Sequence, residues 1–263
     1  MLVEHTLFGV VDKVAEAIDL LKQHEPPEGY YVCFSGGKDS VTVLDLVKRA
    51  GVKYEAWHHI MTIEPPELMK FIYKEYPEVQ HNHPNTTMHK LIAKYGYPPL
   101  RKARFCCRFL KTSHGVGRFK VTGVRAEESA KRRLRQKLEK DWESESYILN
   151  LIFDWTEAEV WEYIHKFNVK YCSLYDEGKK RIGCVFCPYM RPAEKAENLL
   201  RYPQFVRYFI TACERGIKNK HARGKPTLYQ TGAEMFYNWL AYSGGTKKKE
   251  PPMDNLFDLK GEN

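Results

Sequence analysis

The sequence predicts a doubly wound α/β fold: a mostly parallel, five-stranded sheet followed by a helical C-terminal extension. Strand-like and helix-like stretches alternate from Tyr30 to about residue 165, the pattern of a parallel sheet with helices on both faces. One of these strands, the apolar run Tyr30 to Phe34, leads directly into a glycine pair and then a helix. From about residue 190 onward only helical periodicity remains.

Each element has a local reason. Residues 5 to 23 read as one helix, with Leu7, Val10, Val11, Val14, Ile18 and Leu21 at helical spacing. Glu25-Pro26-Pro27-Glu28-Gly29 ends it and leads into the first strand. After the glycine pair, Ser40 to Ala50 continues as a helix and Gly51 stops it. Tyr54 to Ile60 is the second strand. Pro65 and Pro66 open a helix from Glu67 to about Glu75. Glu78 to His83 is a short third strand, and Met88 to Tyr95 a helix closed by Gly96. Phe119 to Val124 and Tyr147 to Phe153 are the fourth and fifth strands. Thr156-Glu157-Ala158-Glu159 is a capping box ahead of Val160, Trp161 and Ile164. Helices over Ala193 to Leu200, Pro203 to Arg215 and Gly232 to Tyr242 follow, then a polar, flexible tail. The domain expectation is residues 1–188 for the α/β domain, 189–243 for a helical extension packed on it, and 244–263 for the tail.

Composition narrows the class. Among 263 residues, 43% are hydrophobic and 29% charged, as in a soluble globular protein. No apolar run approaches the roughly eighteen residues of a membrane helix, and no signal peptide is visible at Met1-Leu2-Val3-Glu4-His5. The expected location is cytoplasmic, with no membrane partner. The net charge of +9, from 42 basic and 33 acidic residues, favours polyanionic partners. Thirteen lysines and arginines crowd between Arg101 and Lys137, read either as a solvated face or as a phosphate-binding surface.

The chemistry centres on Ser35-Gly36-Gly37-Lys38-Asp39-Ser40. Glycines without Cβ let the backbone turn sharply and approach a ligand. The following helix aims its unpaired N–H groups and positive dipole end at the turn, which makes an anion site. Ser35 and Ser40 add hydroxyl donors, Lys38 a positive charge suited to polyphosphate, and Asp39 either a metal ligand or a helix cap. The spacing does not fit a Walker A loop. Thr122-Gly123-Val124-Arg125 ends the fourth strand on the same carboxyl edge. His58 and His59, at the end of the second strand, are further candidates for approaching a ligand bound there. Trp142, Trp155, Trp161 and Trp239 read as core or interface residues.

Seven cysteines, an odd number, suggest metal or redox chemistry over a disulfide framework. Cys106 and Cys107 are adjacent, and Cys184 and Cys187 form C-x-x-C before Pro188. Four thiolates suit a tetrahedral zinc or an iron–sulfur cluster. Adjacent side chains diverge, which favours a cluster with several irons over one zinc. Cys33, Cys172 and Cys213 read as buried small hydrophobes.

From about Tyr31 to Pro188 the chain resembles the phosphoadenosine/adenosine phosphosulfate reductase family of adenine-nucleotide PP-loop proteins. Ser35-Gly36-Gly37-Lys38-Asp39-Ser40 looks like the PP-loop, and Thr122 to Ser129 looks like the family's G-x-R-x-x-x-S stretch. Asp154-Trp155-Thr156 with Val160-Trp161-Glu162-Tyr163-Ile164 is similar to its D-W-T helix entry, and Tyr171, Leu174, Tyr175 and Asp176 follow its Y-x-x-L-x-D turn. The resemblance implies an adenine nucleotide alpha-hydrolase-like fold and a nucleotide held by Ser35, Gly36, Gly37, Lys38, Asp39, Ser40, Gly123, Arg125 and Ser129. Lys38, Asp39 and Arg125 are the expected catalytic residues. It also implies 4Fe–4S ligation by Cys106, Cys107, Cys184 and Cys187.

Two departures redirect the expected reaction. The reductases' C-terminal E-C-G-L-H tail is absent, since no cysteine follows Cys213. The PP-loop is intact, including the lysine of enzymes that cleave ATP between its α and β phosphates. Both point to the cluster-containing ATP pyrophosphatases that activate a target for sulfur insertion, with magnesium as a companion of ATP. The expected partners are DNA or tRNA through residues 101–137, a cysteine desulfurase or thioredoxin, and a second copy of the chain. Two alternatives stand: a thiol-dependent reductase of a phosphosulfate nucleotide, with Cys213 or an external thiol as nucleophile, and a non-catalytic nucleotide-binding or nucleic-acid-binding accessory protein.

Overall fold

A computed structural model describes residues 1–6, 9–111, 114–141 and 145–242. The chain opens with strands β1 (Val3–Thr6) and β2 (Gly9–Asp12), paired antiparallel with Val3 opposite Asp12. Helix α1 (Lys13–Gln23) follows, then β3 (Tyr30–Phe34), α2 (Lys38–Ala50), β4 (Tyr54–His59), α3 (Pro66–Glu75) and β5 (Gln80–Asn82). Next come α4 (Met88–Tyr95), α5 (Phe105–Leu110), β6 (Lys120–Thr122), the single turn α6 (Ala130–Arg133), β7 (Leu138–Asp141) and β8 (Ser146–Asn150). Helices α7 (Glu157–Lys166), α8 (Pro192–Arg201), α9 (Pro203–His221) and α10 (Gly232–Tyr242) complete the order.

The chain divides into two compact units. The first holds Met1–Asn85 and Phe109–Cys184, the second Thr86–Arg108 and Val185–Asn263. Residues 86–108, which the sequence reading assigned to the α/β domain, therefore group with the helical part. The tail at 244–263 and Trp142 lie outside the described residues.

The first unit is built on a six-stranded sheet in the order β5-β4-β3-β6-β8-β7. All neighbours are parallel except β7 and β8. Tyr30, Tyr31, Val32 and Phe34 are all buried, so the central strand β3 is covered on both faces, as its continuous apolar run requires. Tyr30 adds a hydrogen bond from its hydroxyl to the Leu21 carbonyl, 2.8 Å, which satisfies its buried polar end. Leu44, Leu46 and Val47 of α2 are fully buried in the same core. Truncating one such leucine to alanine costs about 2–5 kcal/mol.

The sheet has six strands rather than five. The added strand, Leu138-Glu139-Lys140-Asp141, is mostly charged and carries no apolar alternation. Its pairing with β8, not its composition, makes it a strand, and its charges suit a sheet edge. The helix expected over 5–23 is confined to α1. Asp12 starts it, its carboxylate accepting the N–H groups of Val14 and Ala15 at 2.9 and 3.1 Å. The β-branched Val10 and Val11 ahead of that cap belong to the hairpin instead. The capping box at α7 is present as read: Thr156 N–H donates to Glu159 at 2.7 Å and Glu159 N–H to the Thr156 hydroxyl at 3.2 Å.

The second unit is helical. Phe186, Phe209, Phe236 and Trp239 form its core, with the Phe209 and Trp239 rings stacked at 5.6 Å. The Trp239 indole N–H is satisfied by the Pro99 carbonyl at 2.8 Å. Helix α9 packs on α4 and on α10. Among the described residues no helix is long and apolar enough to cross a membrane.

Candidate active site

The strand order changes direction between β3 and β6. From β3 the chain moves out to β4 and β5, then returns to place β6 on the other side of β3. In open α/β sheets the crevice at the carboxyl ends of such a pair is the usual ligand site. Here it is bordered by the loop after β3, Ser35 to Gly37, and by Gly123 to Arg125 after β6.

The loop is shaped by local bonds. Gly36 has φ +73°, and a Cβ there would sit 2.8 Å from Ile72 and Leu68 side-chain carbons, so only glycine fits. Ser40 braces the turn: its hydroxyl donates to the Gly37 carbonyl at 2.9 Å and accepts the Ser35 N–H at 3.2 Å. The N–H groups of Gly36, Gly37 and Asp39 have no acceptor among the described residues. They stand at the N-terminus of α2, where the helix dipole favours an anion. The Lys38 N–H instead donates to the Tyr175 hydroxyl at 2.9 Å. Burial pushes that phenol's pKa well up, so it stays a neutral hydroxyl.

The two motifs meet through one ion pair. Arg125 Nε donates to Asp39 Oδ1 at 2.6 Å, across 86 residues of sequence. Arg125 also bonds Glu127 at 2.8 Å and the Trp155 carbonyl at 3.4 Å, and its side chain is only 4% exposed. Burial pulls its pKa down; Asp39 and Glu127 more than restore it. Gly123 makes the approach possible, because a Cβ there would meet the Asp39 carbonyl oxygen at 2.9 Å. Lys38 is buried, with Nζ 3.3 Å from Glu157 Oε1, 3.7 Å from Asp39 Oδ2 and 3.3 Å from the Lys180 carbonyl.

Ser35, Gly36, Gly37, Lys38, Asp39, Ser40, Gly123 and Arg125 thus converge. Asp39 does not cap α2, whose N-cap Gly37 makes no side-chain bond; its carboxylate is engaged by Arg125. Ser129 has a different visible role: it is exposed and its hydroxyl caps α6 by accepting the Arg132 N–H at 3.2 Å. Tyr175, Glu157 and Lys180 were not singled out as site residues. Tyr175 carried a signal, its place in the Tyr171-to-Asp176 turn, whereas Glu157 and Lys180 reach Lys38 only through the fold.

His58 is buried, its Nδ1 3.2 Å from the Phe34 carbonyl. His59 shares a hydrogen bond with the Tyr31 hydroxyl at 2.9 Å and stacks on His114. Burial, then His114, lowers the His59 pKa to about 3, so it is a neutral packing residue near pH 7. Trp155 and Trp239 are buried and Trp161 is partly buried against the core, as expected.

Cys106 is buried, while Cys107, Cys184 and Cys187 are half-buried, and none of the seven cysteines forms a disulfide. Among the described residues, no three His, Cys, Asp or Glu side chains come together in an arrangement able to hold a metal ion. The four thiols have the right donor chemistry for a cluster. Cys172 and Cys213 are fully buried. Burial pushes the Cys213 thiol up to about 12, the opposite of what a nucleophile needs.

The basic run 101–137 is not one free surface. Arg118 pairs with Glu55 at 3.0 Å, Lys137 with Asp154 at 3.0 Å, Arg132 with Glu128 and Arg135 with Glu139, in addition to Arg125 with Asp39.

The model of the phosphoadenosine phosphosulfate reductase domain matches residues 29–190, more than half of the sequence. The chain belongs to that family. Among its relatives in the family is adenosine 5'-phosphosulfate reductase 2 of Bacillus subtilis, 25% identical over 211 residues, 73% of this chain and 87% of that protein. An uncharacterised protein of Methanocaldococcus jannaschii is 27% identical over 218 residues, 74% of this chain. The adenosine 5'-phosphosulfate reductase of Neisseria meningitidis serogroup A is 37% identical over 109 residues, 39% of this chain. Those two matches take in 44% and 43% of the relatives, less than half of each. The crystal structure of the phosphoadenylyl-sulfate reductase from Candida auris, a phosphate complex, superposes with TM-score 0.51 and 17% identity, over 65% of this chain and 87% of that one. That likeness establishes the fold.

Proposed function

We propose that this chain binds ATP at the β3–β6 crevice, cleaves it between the α and β phosphates and adenylates a nucleic-acid target for sulfur transfer. The observation that carries the reading is the Arg125–Asp39 ion pair, which sets the arginine of the second motif against an intact Ser35-to-Ser40 loop. In the proposed step an oxygen of the target attacks the α-phosphorus. The bond from that phosphorus to the bridging oxygen breaks, pyrophosphate departs, and any proton on the attacking oxygen passes to water. The negative charge that grows on pyrophosphate is met by the Gly36, Gly37 and Asp39 N–H groups and by Lys38, which exchanges Glu157 for phosphate. One such donor is worth about 3–4 kcal/mol in the transition state. Magnesium, when bound, neutralises polyphosphate charge; with Asp39 engaged by Arg125, no step is assigned to it.

The 4Fe–4S cluster on Cys106, Cys107, Cys184 and Cys187 is a separate proposal that rests on donor chemistry alone. Iron and acid-labile sulfide content after anaerobic purification tests it, and a stoichiometric zinc content instead would remove it.

The reductase names of the relatives favour a second reading, thiol-dependent release of sulfite from a phosphosulfate nucleotide. The state of Cys213 leaves that chemistry to an external thiol such as thioredoxin. Parallel assays decide between the two. The expected result is pyrophosphate release from ATP that falls by at least 100-fold in Lys38→Ala. Sulfite release from adenosine phosphosulfate with thioredoxin, and none of pyrophosphate, would overturn the first reading.

A further inference from the structure

The two units differ sharply in charge. The second unit, over residues 86–108 and 185–242, carries fifteen lysines and arginines against four acids, and residues 86–108 contain no acid at all. The first unit has twenty-three against twenty-five. The whole positive surplus of the chain therefore sits outside the candidate active site's unit.

Within the second unit the surplus is focused. An open cleft of about 430 Å³ between α4 and the C-terminal half of α9 is lined by His89, Lys90, Lys94, Arg215, Lys218 and Arg223, together with Ala93 and Asn219. Lys90 and Lys94 lie one turn apart on one wall, and Arg215, Lys218 and Arg223 stand on the other. All five cations are exposed. Lys90, Arg215, Lys218 and Arg223 form no ion pair with a described residue. Among the described residues no acid lines the cleft.

A helix C-terminus attracts cations, and that accounts for one or two of these at about 0.3–1 kcal/mol each. It does not account for cations drawn from two helices onto one cleft, where they repel one another. From Arg215 to its end at His221, α9 rises about 9 Å, and Arg223 follows that end, so the cations are spread over a length that a single phosphate does not span. A row of anions does. An open, acid-free, elongated cationic cleft is the electrostatic footprint of a nucleic-acid backbone.

We infer that the cleft between α4 and α9 docks the phosphodiester backbone of a nucleic acid. The choice of partner rests on the sulfur-transfer reading; the cleft itself does not.

The test uses the full chain and fluorescein-labelled 20-nucleotide single-stranded RNA and DNA of mixed sequence, titrated between 50 and 300 mM salt. The variant Lys90→Ala/Lys94→Ala/Arg215→Ala/Lys218→Ala removes only exposed side chains, and circular dichroism checks its fold. It should bind at least tenfold more weakly at 100 mM salt, and its salt slope should be shallower by about 3, roughly 0.7 per lost contact. The double variant Lys131→Ala/Arg133→Ala in the first unit should change affinity less than twofold. Equal binding by the quadruple variant, a loss confined to the double variant, or binding to phosphatidylserine vesicles but to neither oligonucleotide would each overturn the inference. Pyrophosphate release is followed in the same samples. Cleft-dependent binding without ATP cleavage keeps the cleft and removes the sulfur-transfer reading; cleavage without cleft-dependent binding does the reverse.

Discussion

In the first unit the cations of the candidate site have acids beside them: Arg125 has Asp39 and Glu127, and Lys38 has Glu157. In the second unit the α4–α9 cleft assembles cations with no acid among the described residues of its lining. The difference separates two uses of positive charge. A buried cation must be compensated because an unpaired charge in low dielectric is costly, and its partners fix its geometry. An exposed cation is solvated and needs no partner, so it stays ready for a ligand. The first arrangement suits positioning of reacting phosphates, the second loose docking of a long polyanion.

Substitutions sharpen this contrast, beginning with the largest expected effect. Arg125→Ala strands Asp39 and should destabilise the fold by about 3 kcal/mol, with pyrophosphate release falling in parallel. Urea unfolding measures the first, and Arg125→Lys should restore stability only in part because it loses the planar fork. A variant as stable as the parent would mean that the pair does not hold the two motifs together.

Glu159 supplies the pH test. Burial pushes its pKa up, but the Lys13 ammonium and the Thr156 N–H outweigh that and hold it at about 2, below its ordinary 4.5. Its folded pKa is depressed, so its contribution is fully present above about pH 5 and is lost as pH falls through 4.5 toward 2. Glu159→Gln should cost about 1–3 kcal/mol at pH 7 and show a flatter acid limb in thermal unfolding. A parallel acid limb would remove Glu159 as its cause.

The smallest effect belongs to the second unit. Lys218→Ala should change stability by no more than about 0.5 kcal/mol, in the stabilising direction because it relieves repulsion. A loss of 2 kcal/mol would show that Lys218 is compensated after all, and the contrast between the units would fail.

Much of the architecture was legible along the chain because it depends on neighbours. The apolar run Tyr30 to Phe34, the glycine stops at Gly51 and Gly96, and the Thr156–Glu159 box all act within a few residues. The charged strand Leu138–Asp141 was not legible, because only its partner β8 makes it a strand. The hairpin ahead of α1 was hidden by valines that fit a helical spacing, although Asp12 marked the true start.

The sequence by itself determined the Ser35-to-Ser40 turn: glycines and hydroxyls at that spacing shape it, and a helix N-terminus with a lysine beside it suits an anion. Tertiary structure decided which distant groups complete it. Arg125 reaches Asp39 because β6 lies beside β3 and Gly123 leaves room, and Glu157 and Tyr175 come to Lys38 from segments more than a hundred residues away. It also decided where exposed positive charge gathers. Composition counts every lysine and arginine alike, whereas folding neutralises those that meet an acid and leaves the α4–α9 cleft cationic.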